Sequence, residues 1–228
     1  MARKLTDAKG VIFDNDDTAQ AHDPKKGYGS PEDQYYAAFL AIAACFGMYF
    51  AKDSELRMKV MGIDIKDVGR IMIEELGLPI TYDQWKSALD SILLTLAPFA
   101  ELAPGFESSV RHLQARGLKV GIASSAIDVV LAAKWARFPE LRSRMQCFVA
   151  GNQVKRSKPE PELLLLAALH LELRPEECVY IGDSKSDMTA AMNAGMQAIF
   201  FRHKNRTVAG IPPGVHAIES MAELESIF

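Results

Sequence analysis

From Gly105 to the C-terminus, short apolar runs alternate with helical segments across short connections, a rhythm that fits a parallel sheet covered by helices. Helical periodicity runs over Gly105–Arg116, Ile127–Arg137, Pro159–Leu171, Lys185–Ala194 and Met221–Ile227, with Gly117 and Gly195 as stop signals. Strand character falls at Lys119–Ala123, Gln146–Ala150, Cys178–Ile181 and Gln197–Phe201. One more strand of the same composition, VIFD at 11–14, stands far upstream. Between them the spacing predicts helices over 31–50, 53–61, 64–76 and 81–96 and no convincing strand. A first strand separated from its sheet by so much helix implies an α/β core, residues 1–18 and 104–228, interrupted by an α-helical cap domain at 19–103. AQAHDPKKGYGS and LAPG, rich in Gly and Pro, mark hinge segments near 19–30 and 100–105.

Composition narrows the partners. With 228 residues, 49% apolar and 24% charged, the chain has globular composition, and a net charge of −3 offers no basic field for nucleic acid or an anionic membrane. The three cysteines show no CxxC or Cys/His ligand spacing, so the expected compartment is reducing and cytoplasmic. The N-terminus has no apolar run of signal-peptide length. The uncharged stretch from Tyr35 to Ala51 is just short of the roughly 18 to 20 residues of a membrane span. It reads as a buried helix, with Ser30 as N-cap and Pro31 at the first helical position.

Four polar clusters stand at strand ends or helix starts, where ligands bind in open α/β sheets: Asp14-Asn15-Asp16-Asp17-Thr18, Ser124-Ser125, Lys158-Pro159 and Gly182-Asp183-Ser184-Lys185-Ser186-Asp187. Singly each is a common turn or cap, since acidic runs after strands are usually solvated and serines often cap helices. Their order and placement together carry the signal.

DNDDT, IASS, KPEPE and IGDSKSD, in this order, resemble the four motifs of the haloacid dehalogenase-like hydrolase superfamily. The helical insertion after the first motif, with VMGIDIKDVGRIMIEELGLPI and the run LAPGFESSVRHLQARGLKVGIASS, is similar to the helical-cap subfamily of β-phosphoglucomutase and small-molecule phosphatases. The resemblance implies a Rossmann-like three-layer core with a mostly parallel sheet. It implies Asp14 as the nucleophile that forms an aspartyl-phosphate, and Asp16 as general acid and base. Lys158 is then the cation that balances nucleophile and phosphate, and Ser124 the hydroxyl on a phosphate oxygen. Mg²⁺ would be held by Asp14, Asp183, the backbone carbonyl of Asp16 and, directly or through water, Asp187. The dehalogenase branch of the family lacks an acid at the position of Asp16, so its presence here implies phosphoryl chemistry.

The expected reaction is hydrolysis of a small phosphomonoester, a sugar phosphate or nucleoside monophosphate, by a monomer or weak homodimer with no nucleic-acid or membrane partner. The family usually has Gly at the position of Asp17 and a large aliphatic at that of Ala19; a third carboxylate beside a phosphate needs a cation, for which Lys25, Lys26 and the metal are candidates. The alternatives are a phosphomutase of the β-phosphoglucomutase type, a phosphonoacetaldehyde hydrolase using a cap lysine, and a non-catalytic phosphate binder. Lys66 and Arg70 of the cap read as a solvated face, and none of the five histidines has metal-ligand spacing.

Overall fold

A computed structural model describes residues 5–20, 31–52, 54–60, 63, 65–202, 212 and 214–228. Ser30, Lys25, Lys26 and the 21–30 part of the first hinge lie outside the described residues, as do His22 and His203.

Strands β1 (Gly10–Phe13), β2 (Lys119–Ser124), β3 (Cys147–Ala150), β4 (Cys178–Gly182), β5 (Gln197–Phe201) and β6 (His216–Ile218) form one six-stranded sheet in the order β3-β2-β1-β4-β5-β6. Every pairing is parallel, and the order reverses beside β1, the arrangement of a doubly wound sheet with its crevice at the carboxyl ends of β1 and β4. Because both faces are covered, the strands are near-continuous apolar runs rather than alternating ones. Val11, Phe13, Val120, Ile122, Val179 and Ile181 pack on one face; Ile12, Ala123, Val149 and Tyr180 pack on the other.

Helices α1 (Pro31–Ala44), α2 (Glu55–Val60), α3 (Ile65–Arg70) and α4 (Tyr82–Leu96) lie between β1 and β2 and share a separate apolar cluster around Tyr36, Phe39, Met72, Trp85 and Leu89. A Cβ on Gly69 would sit 2.6 Å from the Tyr82 ring, so only glycine lets α3 approach α4 this closely. Thr81 starts α4 with a capping box, its hydroxyl accepting from Gln84 N at 3.3 Å and its N–H reaching Gln84 Oε1 at 2.9 Å. Where the chain leaves and rejoins the core, Gln20 bridges Leu102 and Ala103 N donates to Ala19 O at 2.9 Å, so the two crossings are paired side by side.

In the core, α5 (Phe106–Ala115), α6 (Asp128–Trp135), α7 (Pro139–Arg144), α8 (Glu162–His170), α9 (Lys185–Asn193) and α10 (Leu224–Ile227) flank the sheet. Several sequence boundaries need correction. The helix expected to run to residue 50 ends at Ala44, where Gly47 turns the chain at φ +74°. The helix expected over 64–76 is α3 followed by a π-helical turn at Ile71–Glu75, closed by Leu76 N–H on Ile71 O. The closing helix splits into a 3₁₀ turn at Met221–Glu223, capped by Ser220, and α10. Two elements escape the periodicity because they bury so little: α7 buries only Leu141, and β6 is a three-residue edge strand. Among the described residues no helix is long and apolar enough to cross a membrane.

Candidate active site

Asp14 follows β1 directly, its N–H extending the ladder to Ile181 O at 2.8 Å, so its carboxylate is delivered to the carboxyl edge of the sheet. There it meets Lys158, whose ammonium donates to Asp14 Oδ1 at 2.5 Å and to Asp187 Oδ1 at 2.7 Å. A lysine before proline is ordinarily solvated, yet Lys158 is 7% exposed. Tyr180, inward-facing on β4, places its hydroxyl 3.1 Å from both Lys158 Nζ and Asp187 Oδ1.

Asp187 is fixed from its own helix. The cap of α9 is Ser184 rather than Asp183, its hydroxyl accepting from Asp187 N at 3.1 Å and its own N–H reaching Asp187 Oδ2 at 3.0 Å. A Cβ on Gly182 would lie 2.5 Å from Asp187 Cγ, so glycine at the end of β4 makes room for that carboxylate. Oxygens of Asp14, Asp183 and Asp187 lie within 4.8 Å of one another, and Thr18 Oγ1 is 3.4 Å from Asp183 Oδ1.

The charge balance explains the titration of this cluster. Burial pushes the Asp14 carboxyl up to about 7 against the pull of Lys158, and the Asp187 and Asp16 carboxylates add to the rise. Burial also works against Asp187, but Lys158 and the Ser184 hydroxyl and N–H outweigh it and hold Asp187 below its ordinary value. Lys158 is raised despite burial because Asp14 and Asp187 face it. Three buried carboxylates that bring oxygens within 4.8 Å of one another offer hard donors, which suit a small divalent cation such as Mg²⁺.

Asp16 is placed differently. Its carboxylate lies outside that cluster and pairs through Oδ1 with Lys134. Asp17 is buried at φ +58°, in the left-handed region where Gly is easiest and Asp among the better tolerated of other residues. Ser124 ends β2 buried, its Oγ accepting from Ala126 N at 3.1 Å, whereas Ser125 Oγ lies 3.0 Å from Ser157 Oγ. Neither serine caps α6, whose N-cap is Ile127.

Asp14, Asp16, Ser124, Lys158, Asp183 and Asp187 open on a cavity of about 240 Å³ between the sheet edge and the helical layer. The layer contributes Tyr35, Phe39, Val68 and Leu89 together with an ion pair in which Lys86 Nζ reaches Asp90 Oδ1 at 2.5 Å. Burial and then Asp16, Asp90 and Asp14 push the Tyr35 hydroxyl well above its ordinary range, so it stays protonated. Lys66 and Arg70 do not line the cavity, and Arg70 pairs with Glu75 at 3.5 Å. Burial raises the Cys147 thiol to about 11 and Cys178 to about 12, which makes them inert.

Sequence reasoning missed Lys134, Tyr35 and Tyr180. The signal for Lys134 was present: it falls on the same buried stripe of α6 as Val130, Leu131 and Trp135, where an unpaired lysine would be costly.

A doubly wound sheet with a helical layer above carboxylates at the ends of β1 and β4 defines a class, the doubly wound α/β proteins that bind ligands at the carboxyl ends of their strands. The sequence matches the family of haloacid dehalogenase-like hydrolases over residues 31–201, and the chain belongs to that family. It is an enzyme of the phosphatase kind. The matched span includes Ser124, Lys158, Asp183 and Asp187 and begins after Asp14 and Asp16.

A Drosophila melanogaster protein named a probable pseudouridine-5'-phosphatase is 31% identical over 64% of this chain and 65% of its own length. A phosphorylated carbohydrates phosphatase of Thermotoga maritima is 27% identical over 84% of each chain. The crystal structure of β-phosphoglucomutase from Clostridium difficile superposes with a TM-score of 0.74 at 17% identity, covering 95% of this chain and 93% of that one; it shares the fold.

Proposed function

We propose that this chain is a Mg²⁺-dependent phosphatase that hydrolyses a small phosphomonoester through an aspartyl-phosphate on Asp14. The observation that carries the reading is the buried Asp14 carboxylate at the end of β1, held by Lys158, within 4.8 Å of Asp183 and Asp187 and open to the same cavity as Asp16.

In the first step a carboxylate oxygen of Asp14 bonds to phosphorus. The bond from phosphorus to the leaving oxygen breaks, its electron pair stays on that oxygen, and Asp16 supplies the proton that makes it an alcohol. In the second step Asp16 takes a proton from water as that water attacks phosphorus. The bond to Asp14 breaks, which regenerates the carboxylate and frees inorganic phosphate. Lys158 neutralises charge shared by nucleophile and phosphate, and the Ser124 hydroxyl orients a phosphate oxygen. Asp14, Asp183 and the Asp16 carbonyl, supported by Asp187, would hold the Mg²⁺, which supplies charge neutralisation for two anions that must meet.

In this reading the core is 1–18 and 104–228 and the cap 19–103, which opens and closes on the paired crossings at Ala19–Gln20 and Leu102–Ala103. The cavity, at about 240 Å³, is below the roughly 300–1,000 Å³ of pockets for drug-sized ligands, which supports a small substrate. Among the described residues its cap wall offers apolar side chains with one charged pair, Lys86–Asp90, which suits a sugar phosphate or nucleoside monophosphate with hydroxyls to meet that pair.

Phosphate release from sugar phosphates, nucleoside monophosphates and p-nitrophenyl phosphate, with Mg²⁺ or EDTA and beside Asp14→Asn, tests this. Release that needs the metal and vanishes in the variant is the expected result. Release that survives the substitution would overturn the nucleophile.

One observation favours a second reading: Lys86 is a cap lysine that lines the cavity, as a phosphonoacetaldehyde hydrolase would require for its Schiff base. Its ion pair with Asp90 opposes that role, and borohydride trapping with the aldehyde decides it.

A further inference from the structure

Asp16 has two carboxyl oxygens, and the structure treats them unequally. Oδ1 accepts from Lys134 and also from Asn15 Nδ2 at 3.0 Å. Asn15 is itself fixed, its Oδ1 accepting from Trp135 Nε1 at 2.8 Å and its amide reaching Gln20 Oε1 at 3.3 Å. Among the described residues no hydrogen bond engages Oδ2, while the Asp16 side chain lines the cavity at 21% exposure.

Lys134 reaches this position from α6 and is 2% exposed, so its ammonium has exchanged water for a few protein partners. One partner is Asp16. Another is the face of Tyr35 in α1, whose centroid lies 5.8 Å from the ammonium. A single buried cation thus joins the acid of the core to the helical layer above it.

We propose that Lys134 is a positioning residue for proton transfer: it pins Oδ1 of Asp16, leaving Oδ2 to face the leaving oxygen, and through Tyr35 it ties that aim to the helical layer. The role rests on the reading of Asp16 as general acid. Asp16 Oδ2 gives its proton to the leaving oxygen as the phosphorus–oxygen bond breaks, so its aim matters in proportion to the basicity of that oxygen. An alkoxide needs the proton; 4-nitrophenolate leaves without it.

The test is kcat/KM, which covers the steps up to release of the leaving group, for the best alkyl phosphate and for p-nitrophenyl phosphate. The variants are Lys134→Met, Lys134→Arg and Tyr35→Leu. In Lys134→Met the alkyl-to-aryl ratio of kcat/KM is expected to fall about tenfold or more, within the range of general-acid contributions. Lys134→Arg restores most of the ratio, and Tyr35→Leu shifts it in the same direction by less. Turnover of p-nitrophenyl phosphate reports in each variant that the site is still assembled.

A ratio unchanged or increased in Lys134→Met would overturn the role. So would equal losses on both substrates with Lys134→Arg no better than Lys134→Met, which is the mark of a purely structural lysine. Failure of the phosphatase reading looks different: the wild-type enzyme releases phosphate from neither substrate, or Asp14→Asn releases it as the wild type does.

Discussion

The floor of the site and the wall above it are built on opposite principles. The floor puts three carboxylates and an ammonium into a buried volume at the ends of strands whose positions are fixed by ladder bonds and by packing on both faces. Among the described residues the wall is a set of helix side chains, mostly apolar, with one partly exposed pair, Lys86 and Asp90, held by a hydrophobic cluster of its own. Chemistry that tolerates little displacement sits on the rigid part, and recognition of the variable part of a substrate sits where substitutions cost less.

That contrast can be broken by substitution. The largest effect is expected at Asp14: Asp14→Asn keeps the size of the side chain but removes the nucleophile, so turnover should fall by about a thousandfold or more while circular dichroism stays that of the wild type. Next is Lys158→Met, which leaves Asp14 and Asp187 buried without their shared cation. It should lower turnover and cost about 3–5 kcal/mol in urea unfolding, as breaking a buried pair does. In the wall, Trp85→Ala empties a fully buried position between Phe39 and Tyr82 and is expected to cost about 3–5 kcal/mol, with core amides in hydrogen exchange protected longer than those of α1 and α4.

Two smaller effects separate backbone and charge from chemistry. Asp17→Gly relieves a left-handed φ but also removes a buried carboxylate that has a partner, so melting should show a net loss of stability of about 1 kcal/mol or more. At the opposite end of the sheet, Glu177 is lowered to about 2 by Lys9, by the Arg174 N–H and by the Arg174 side chain. A carboxyl with a lowered folded value stabilises fully above its ordinary 4.5, and that stability is lost as pH falls toward 2. Glu177→Gln should therefore be less stable than the wild type near neutrality, with the gap closing across that acid window in pH-dependent melting.

The two regions also differ in how much of them the sequence discloses. Strands β1, β2, β4 and β5 are short apolar runs that end in polar clusters, so Asp14, Ser124 and Asp183 could be placed at one edge of a sheet from pattern alone. Lys158 and Asp187 came with the motif, though the burial of the lysine is a tertiary fact that its local sequence hides. The roles of Lys134 and Tyr35 are hidden from the sequence because they lie in contacts across about a hundred residues and between two layers. The ends of α1 and α3 were misplaced since apolar periodicity continues past Ala44 and Arg70 while the backbone turns or widens there.

The account turns on the carboxylate that ends β1, and trapping its phosphorylated form tests it most directly. Enzyme mixed with substrate and Mg²⁺, quenched in acid and reduced with borohydride, should yield a peptide in which residue 14 has become homoserine, with none in Asp14→Asn or without substrate. Continued phosphate release with no modification at Asp14, or with the modification on Asp16 or Asp183, would contradict it.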